Sequence, residues 1–116
     1  MSDRKLIGRA AEDQAADFLL SLGYTLVTRR FKARHGEIDL ICLDGEELVF
    51  IEVKVRRAPG YVPEEAIGEA KLRSLQRAAT EYVSAMDEKR EVRFDVVAID
   101  REGLRYHRDV LGHRLT

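Results

Sequence analysis

Two acids and a lysine, brought together by a hairpin, carry the chemistry this sequence offers. In the run Leu48-Val49-Phe50-Ile51-Glu52-Val53-Lys54-Val55-Arg56, side chains of a strand alternate between two faces. Val49, Ile51, Val53 and Val55 form one apolar face. The other face reads Leu48, Phe50, Glu52, Lys54, Arg56, so it begins buried and turns charged partway along. The run before it puts Ile38, Leu40 and Cys42 on one face and Glu37, Asp39 and Ile41 on the other. Asp44-Gly45 between the runs is a hairpin turn signal. A two-residue Asp44-Gly45 loop sets Glu37 opposite Glu52, with Asp39 on the diagonal. A four-residue loop, Asp44 to Glu47, sets Asp39 opposite Glu52 and Glu37 opposite Lys54. Either register gathers Asp39, Glu52 and Lys54 on one face, whereas a three-residue loop would scatter them.

Carboxylates placed directly opposite one another repel, and something must offset that repulsion. Lys54 is one candidate and a hard divalent cation is the other. Mg²⁺ takes one or two carboxylates, keeps waters and completes its shell with substrate phosphate. A lysine beside such a site could position or deprotonate an attacking water while the metal stabilises charge on the phosphate. The constellation fits phosphodiester hydrolysis. Acid-x-Lys by itself carries no weight, because it occurs four times: Asp3/Lys5, Glu52/Lys54, Glu69/Lys71 and Asp87/Lys89. Only Glu52/Lys54 falls in a central strand with a second carboxylate brought beside it.

The elements that must position these groups are readable from periodicity. Leu6, Ile7, Ala10, Ala11, Ala15, Phe18, Leu19 and Leu22 recur at helical spacing, predicting a helix from Asp3 to Leu22 with Gly23 as its cap. Tyr24 to Ala33 reads as a strand, followed by the hairpin strands Ile38–Leu43 and Leu48–Val55. Pro63-Glu64-Glu65 looks like a helix start. Gly68 interrupts it, and a longer helix from Glu69 to Met86 buries Leu72, Leu75, Ala79, Tyr82, Val83 and Met86. Phe94–Ile99 is a buried strand and Leu104–Arg108 a weaker last one, after a turn at Gly103. The order α-β-β-β-α-β-β predicts a small mixed α/β layer structure.

Composition narrows the classes. The 116 residues are one domain's worth, residues 1–116, able to bury roughly two-thirds of the unfolded chain's surface without staples. With 45% hydrophobic residues the chain is not disordered, and no apolar run approaches the roughly 18 residues of a membrane helix. One cysteine, Cys42, excludes an intrachain disulfide and a multi-cysteine metal site. Its place on the apolar strand face makes it a core residue. No signal-peptide pattern opens the sequence, so the cytoplasm is the expected compartment. The net charge is −1 and the pI about 6.3, unlike a DNA-coating protein. Basic residues nonetheless cluster as Arg29, Arg30, Lys32, Arg34 and His35, and again as Arg56 and Arg57. Such patches can contact nucleic acid, or simply be solvated strand ends.

Gly36-Glu37-Ile38-Asp39-Leu40-Ile41, followed by Leu48 to Arg56, resembles the YraN-like bacterial proteins of the PD-(D/E)XK nuclease-like superfamily. The resemblance extends to Gly8-Arg9-Ala10-Ala11-Glu12, Gly23-Tyr24, Arg29-Arg30, Pro63-Glu64-Glu65-Ala66, Lys71 and Arg93-Phe94-Asp95-Val96-Val97. It departs from that pattern at Ala11, where glycine is common, and at Val62, where a serine cap often precedes the proline. The resemblance implies a restriction-endonuclease-like αβββαβ core, a mixed sheet flanked by helices. It implies that Asp39 and Glu52, with the Val53 carbonyl and Glu12, ligate Mg²⁺ or Mn²⁺, that Lys54 acts on the attacking water, and that Lys71 faces the site or a phosphate.

The leading expectation is a metal-dependent endonuclease on DNA, with branched or otherwise structured DNA as the candidate substrate. The alternative is a non-catalytic nucleic-acid-binding module in which Arg29–Arg34, Arg56 and Arg57 contact phosphates. A third reading is a small protein-binding adaptor. A homodimer is expected, since a second copy would supply a second grip on DNA. Read from the residues alone, Glu12 and Lys71 could be solvated helix residues, and Glu37 a salt-bridge partner of Lys54 or an arginine. Asp95, in an apolar strand, needs a structural partner such as Arg93. His35 suits a loop or a phosphate contact, His107 and His113 have no metal spacing, and the aromatics are too scattered to stack bases.

Overall fold

Helix α1 (Asp3–Ser21) stops where glycine lets it stop. The Tyr24 N–H donates to the Leu19 carbonyl at 3.2 Å and the Gly23 N–H to the Leu20 carbonyl at 3.0 Å, with Gly23 at φ +92°. That is the paired bonding of a Schellman cap, which needs a left-handed residue. The turn drops the chain into strand β1 (Thr25–Ala33), followed by β2 (Gly36–Asp44), β3 (Glu47–Val55), helix α2 (Glu69–Ser84), β4 (Val92–Asp100) and β5 (Gly103–His107). The structure is a computed structural model that describes residues 3–55 and 68–111, with side chains from residue 7 onward. The helix start expected at Pro63, and Arg56, Arg57 and His113, lie outside the described residues. The element order is the α-β-β-β-α-β-β that periodicity predicts.

The strands form one sheet in the order β1-β2-β3-β4-β5. All neighbours are antiparallel except β3 and β4, which are parallel. A parallel pair needs a crossover connection, and α2 lies in the stretch that supplies it. Helix α1 covers one face, packing Ala11, Ala15, Ala16 and Leu19 on Leu40, Cys42, Val49, Ile51 and Val97. Helix α2 packs Leu75, Ala78 and Ala79 with Ile38, Ile41, Leu48, Phe50 and Phe94. The result is an α/β layer structure compatible with a small restriction-endonuclease-like core. Two details of α1 differ from the expected stripe: Ala10 and Leu22 are exposed, and Ala16 is buried in their place. The alanine-rich stripe lets α1 lie close to the sheet, which brings Glu12 down to the strands. No helix among the described residues is long and apolar enough to cross a membrane.

One buried cation ties the sheet together. Arg93, on β4, donates to Asp95 from Nε and Nη2 at 3.0 Å each. Its Nη1 donates to Asp44 Oδ2 at 2.9 Å and Glu47 Oε1 at 2.7 Å, the two residues at the closed end of the β2–β3 hairpin. Its Nη2 also donates to the Tyr24 hydroxyl at 3.0 Å, and Tyr106 on β5 donates to Asp95. Burial opposes the Arg93 charge, but hydrogen bonds to Asp95 and Asp44 outweigh it and hold the pKa above its ordinary value. Asp95 thus has the Arg93 partner its apolar strand demands. Removing one member of a buried ionic network leaves a buried charge uncompensated, typically at 3–5 kcal/mol. Arg93→Met should therefore lower unfolding free energy by about that much, measured by urea titration. Arg93→Met/Asp95→Leu should recover a substantial part of the loss, because it removes the orphaned charge.

Candidate active site

The hairpin register decides which carboxylates meet. β2 pairs with β3 from Asp44↔Glu47 to Leu40↔Ile51, leaving Gly45 and Glu46 as the two-residue turn. Gly45 has φ +62°, the positive value that the first position of a primed hairpin turn requires. The turn is therefore one residue later than Asp44-Gly45, and the register with Glu37 opposite Glu52 does not form. Carried one step beyond Leu40↔Ile51, the observed register brings Asp39 level with Glu52. Asp44 and Glu47 are themselves paired and both gripped by Arg93, which closes the expected four-residue loop down to two.

Past that point the sheet forks. β2 stays paired with β1 as far as Ala33↔Gly36, and β3 stays paired with β4 as far as Val55↔Ile99, but β2 and β3 part after Leu40↔Ile51. The Val53 N–H, which lies in the fork, donates to Asp39 Oδ2 at 2.8 Å. A side chain thus replaces a backbone acceptor at the opening.

Asp39 also sits at a break in alternation. Leu40 and Cys42 pack under α1, whereas Ile38 packs with Ile41 under α2, so Ile38 does not share the face expected of it. The partner strand shows why. Pairing passes from Arg29↔Leu40 to Phe31↔Ile38 across Arg30, which has φ +53°. A left-handed arginine reverses the facing of the chain there, at a cost of about 1–2 kcal/mol. Arg29 consequently reaches Asp13 on α1, while Phe31 stacks edge-on against Tyr82 of α2.

The assembled group is two desolvated carboxylates with two lysines beside them. Glu52 is 4% exposed. Lys71 Nζ lies 3.4 Å and Lys54 Nζ 3.7 Å from Glu52 Oε1, while Glu52 Oε2 is buried with no hydrogen-bond partner. Burial raises the Glu52 pKa against the pull of Lys71 and Lys54. Burial, then the Glu52 charge, pushes Asp39 up to about 7, against the Val53 N–H and Lys71.

Of the other residues singled out by sequence, Glu12 faces the same region from α1 and adds to the field on Asp39, but its Oε1 accepts from Arg30 Nε at 2.9 Å. Glu37 is exposed and does not pair with Lys54. It lines a recess with Arg9, Glu12, Arg30 and Lys32. His35 and Arg34 form the β1–β2 turn, where the Ser74 hydroxyl donates to the His35 carbonyl at 3.0 Å. Cys42 is core, its thiol pushed up to about 11 by burial and Asp95. No group of three or more His, Cys, Asp or Glu side chains stands ready to hold a metal among the described residues. The positional signal that sequence reading underweighted is Lys71. Its place in the first turn of α2 puts it against Glu52, and pairing with a buried carboxylate is not visible in a helix's periodicity.

A carboxyl whose folded pKa exceeds its unfolded value favours folding fully below the unfolded pKa, and loses that favour as pH rises through the folded one. For Asp39 the window runs from about pH 4 to about pH 7. Asp39→Asn, which keeps an acceptor for Val53, should melt at a higher temperature than the parent chain in metal-free buffer. The gap should widen from pH 4 to pH 7 and stay constant above, as read by thermal unfolding in chelator.

Comparison with known proteins places the chain. A model of the uncharacterised protein family UPF0102 matches residues 11–99. A UPF0102 protein of Symbiobacterium thermophilum is 46% identical over 96 residues, covering 81% of both chains. One from Geobacter sulfurreducens is 41% identical over 99 residues, covering 82% of this chain and 76% of its own. One from Rhodococcus opacus is 41% identical over 101 residues, covering 85% of this chain and 86% of its own. The matched span runs from α1 through β4 and contains the hairpin, the fork and both lysines, and on that match the chain belongs to UPF0102, the family of the YraN-like proteins.

Proposed function

We propose that this protein is a divalent-metal-dependent nuclease that hydrolyses DNA phosphodiesters at the β2–β3 fork. The observation that carries the reading is the unpartnered, buried Glu52 Oε2 beside a second, half-buried carboxylate, Asp39. An orphaned buried charge is costly. Two lysines offset part of that cost, and both reach the other oxygen of Glu52. A cation between Asp39 and Glu52 would satisfy the rest.

The donor set fits Mg²⁺ or Mn²⁺. Two carboxylates with a backbone carbonyl, here that of Val53, are what such an ion takes from protein before waters and phosphate fill its shell. Bound there, the ion would supply Lewis-acid stabilisation of charge on the scissile phosphate. Asp39, held by the Val53 N–H, fixes the donor geometry. Lys54, partly exposed at the mouth, orients the attacking water. Lys71 meets the phosphate from α2. The water oxygen bonds to phosphorus and gives up a proton to bulk water, the bond to the leaving sugar oxygen breaks, and that oxygen takes a proton back from bulk water, so one water is consumed per bond cut. Glu12 remains paired with Arg30 beside the fork. The alternative, a nucleic-acid-binding module without cleavage, draws on the lack of a third acidic ligand among the described residues. Two carboxylates are nonetheless enough for Mg²⁺.

The test is isothermal titration of Mn²⁺, followed by cleavage assays on supercoiled, single-stranded and four-way-junction DNA. The wild type should bind Mn²⁺ with an affinity that rises roughly tenfold per pH unit up to about pH 7 and then levels, because the ion displaces the Asp39 proton. Asp39→Asn/Glu52→Gln should abolish binding and cleavage. Lys54→Ala should keep Mn²⁺ binding and lose cleavage by about 100-fold or more, the scale of a positioned catalytic group. Mn²⁺ binding that survives the double substitution, or a wild type that cleaves none of the three DNAs, would overturn the reading.

A further inference from the structure

The described arginines differ in how they are partnered. Arg29 is paired with Asp13, Arg30 with Glu12, and Arg93 is buried in its network. Arg34 and Arg77 differ: among the described residues neither guanidinium has an ion-pair or hydrogen-bond partner. They line one open cleft of about 770 Å³ between the β1–β2 turn and α2, with His35, Arg73, Gln76, Thr80, Glu81 and Ser84. Arg73 makes only an exposed i,i+4 contact with Glu69 at 3.7 Å, a weak and salt-screened pair. The one acid among the described lining residues, Glu81, is turned to the backbone, accepting the Arg34 N–H at 2.9 Å.

The cleft is built rather than incidental. The turn is pinned to α2 at two points, by Glu81 on the Arg34 N–H and by Ser74 on the His35 carbonyl. Between them Gly36 lies so close to the helix that a Cβ there would stand 2.5 Å from Ser74 Oγ and 2.8 Å from the Ser74 carbonyl oxygen. Only glycine allows that approach. It fixes Arg34 over the same helix that carries Arg73 and Arg77, and that helix also carries Lys71 against Glu52.

We infer that this cleft is a second phosphate-binding surface, one that holds the nucleic-acid backbone away from the fork and leads it in past Lys71. The inference rests on the proposed action on DNA and assigns the binding to Arg34, Arg73 and Arg77, not to Arg29 and Arg30. From Arg73 to Ser84 the helix runs roughly 16 Å. One strand of a duplex presents a phosphate about every 3.4 Å along its axis, so the cleft spans about five nucleotides. An open track of that length, with cations and small hydroxyl and amide groups and few apolar side chains, suits a polyanionic chain. A small phosphate compound would call for an enclosed site.

The experiment is fluorescence anisotropy of a 20-base-pair labelled duplex in chelator, titrated at several salt concentrations. The variant Arg34→Ala/Arg77→Ala should bind 10- to 100-fold more weakly, and its log K against log salt slope should be shallower by about two. Arg34→Lys/Arg77→Lys should keep the wild-type slope, and Arg29→Ala should change it little. The Mn²⁺ titration of Arg34→Ala/Arg77→Ala should match wild type, which shows an intact fold and separates failure here from failure of the carboxylate site. An unchanged slope in the double alanine variant would overturn the assignment. So would polyglutamate competing as well as DNA of equal charge, since that would indicate an acidic protein as the partner.

Discussion

Arg93 holds the two ends of the Gly45-Glu46 turn, and everything at the other end of that hairpin depends on the grip. Its Nη1 bonds Asp44 and Glu47, which are themselves register partners. A strand that slips by one residue turns every side chain to the opposite face. With β2 slipped against β3, Asp39 would leave Glu52 and the fork would bring together a carboxylate and an apolar side chain. The clamp is placed where two acids would otherwise repel, so it converts a weakness of this turn into a fixed register. Tyr24 and Tyr106 extend the same network to β1 and β5. A buried ionic hub is a poor source of net stability but a good source of a single arrangement. Here the arrangement it selects is the one that creates the site.

The fork is the second half of that logic. Parting β2 from β3 gives up ladder hydrogen bonds, and the left-handed Arg30 adds strain. Two carboxylates are then desolvated side by side. Each of these opposes folding, and all three coincide at Asp39. Strain and unmatched polar groups gathered at one point mark a functional site more reliably than any one of them does. The surrounding sheet is ordinary by contrast: β4 is buried along its middle seven residues, and Leu40, Ile41, Val49 and Ile51 are fully buried. A rigid apolar platform carries one costly opening.

How much of this could be read in the sequence follows from what kind of signal each feature leaves. Element order was legible because alternation in Leu48–Val55 and three- and four-residue spacing in α1 and α2 are strong periodic patterns. The meeting of Asp39, Glu52 and Lys54 was legible because register and alternation together leave few options. The turn was misplaced by one residue because Asp-Gly reads as a turn in any chain, while its true position is set by Arg93, forty-eight residues from Gly45. The facing of Ile38 was misread because nothing in Arg29-Arg30-Phe31 announces a positive φ at an arginine. The pairing of Arg29 and Arg30 with Asp13 and Glu12 was hidden too, since it needs α1 laid across β1. A run of five basic residues looked like one surface and is two.

That division of charge bears on cleavage against mere binding. A protein that only holds nucleic acid gains from cations and loses from acids near the backbone. Here Arg34, Arg73 and Arg77 line the cleft beside α2, while Asp39 and the buried Glu52 lie near the start of that helix, Glu52 against Lys71. Unneutralised, Asp39 and Glu52 would repel the phosphate that Lys54 and Lys71 attract. Burial makes the conflict sharper, because the desolvation that lifts Asp39 toward pH 7 also strengthens every charge interaction in the fork. In the proposed reading a divalent ion would resolve it, by turning the two anions from a barrier to phosphate into the reason phosphate is drawn to that spot. Without such a role, replacing Asp39 or Glu52 by a neutral residue would improve both the stability of the fork and its affinity for nucleic acid. On the proposed reading, the carboxylates are kept at this cost because the reaction uses them.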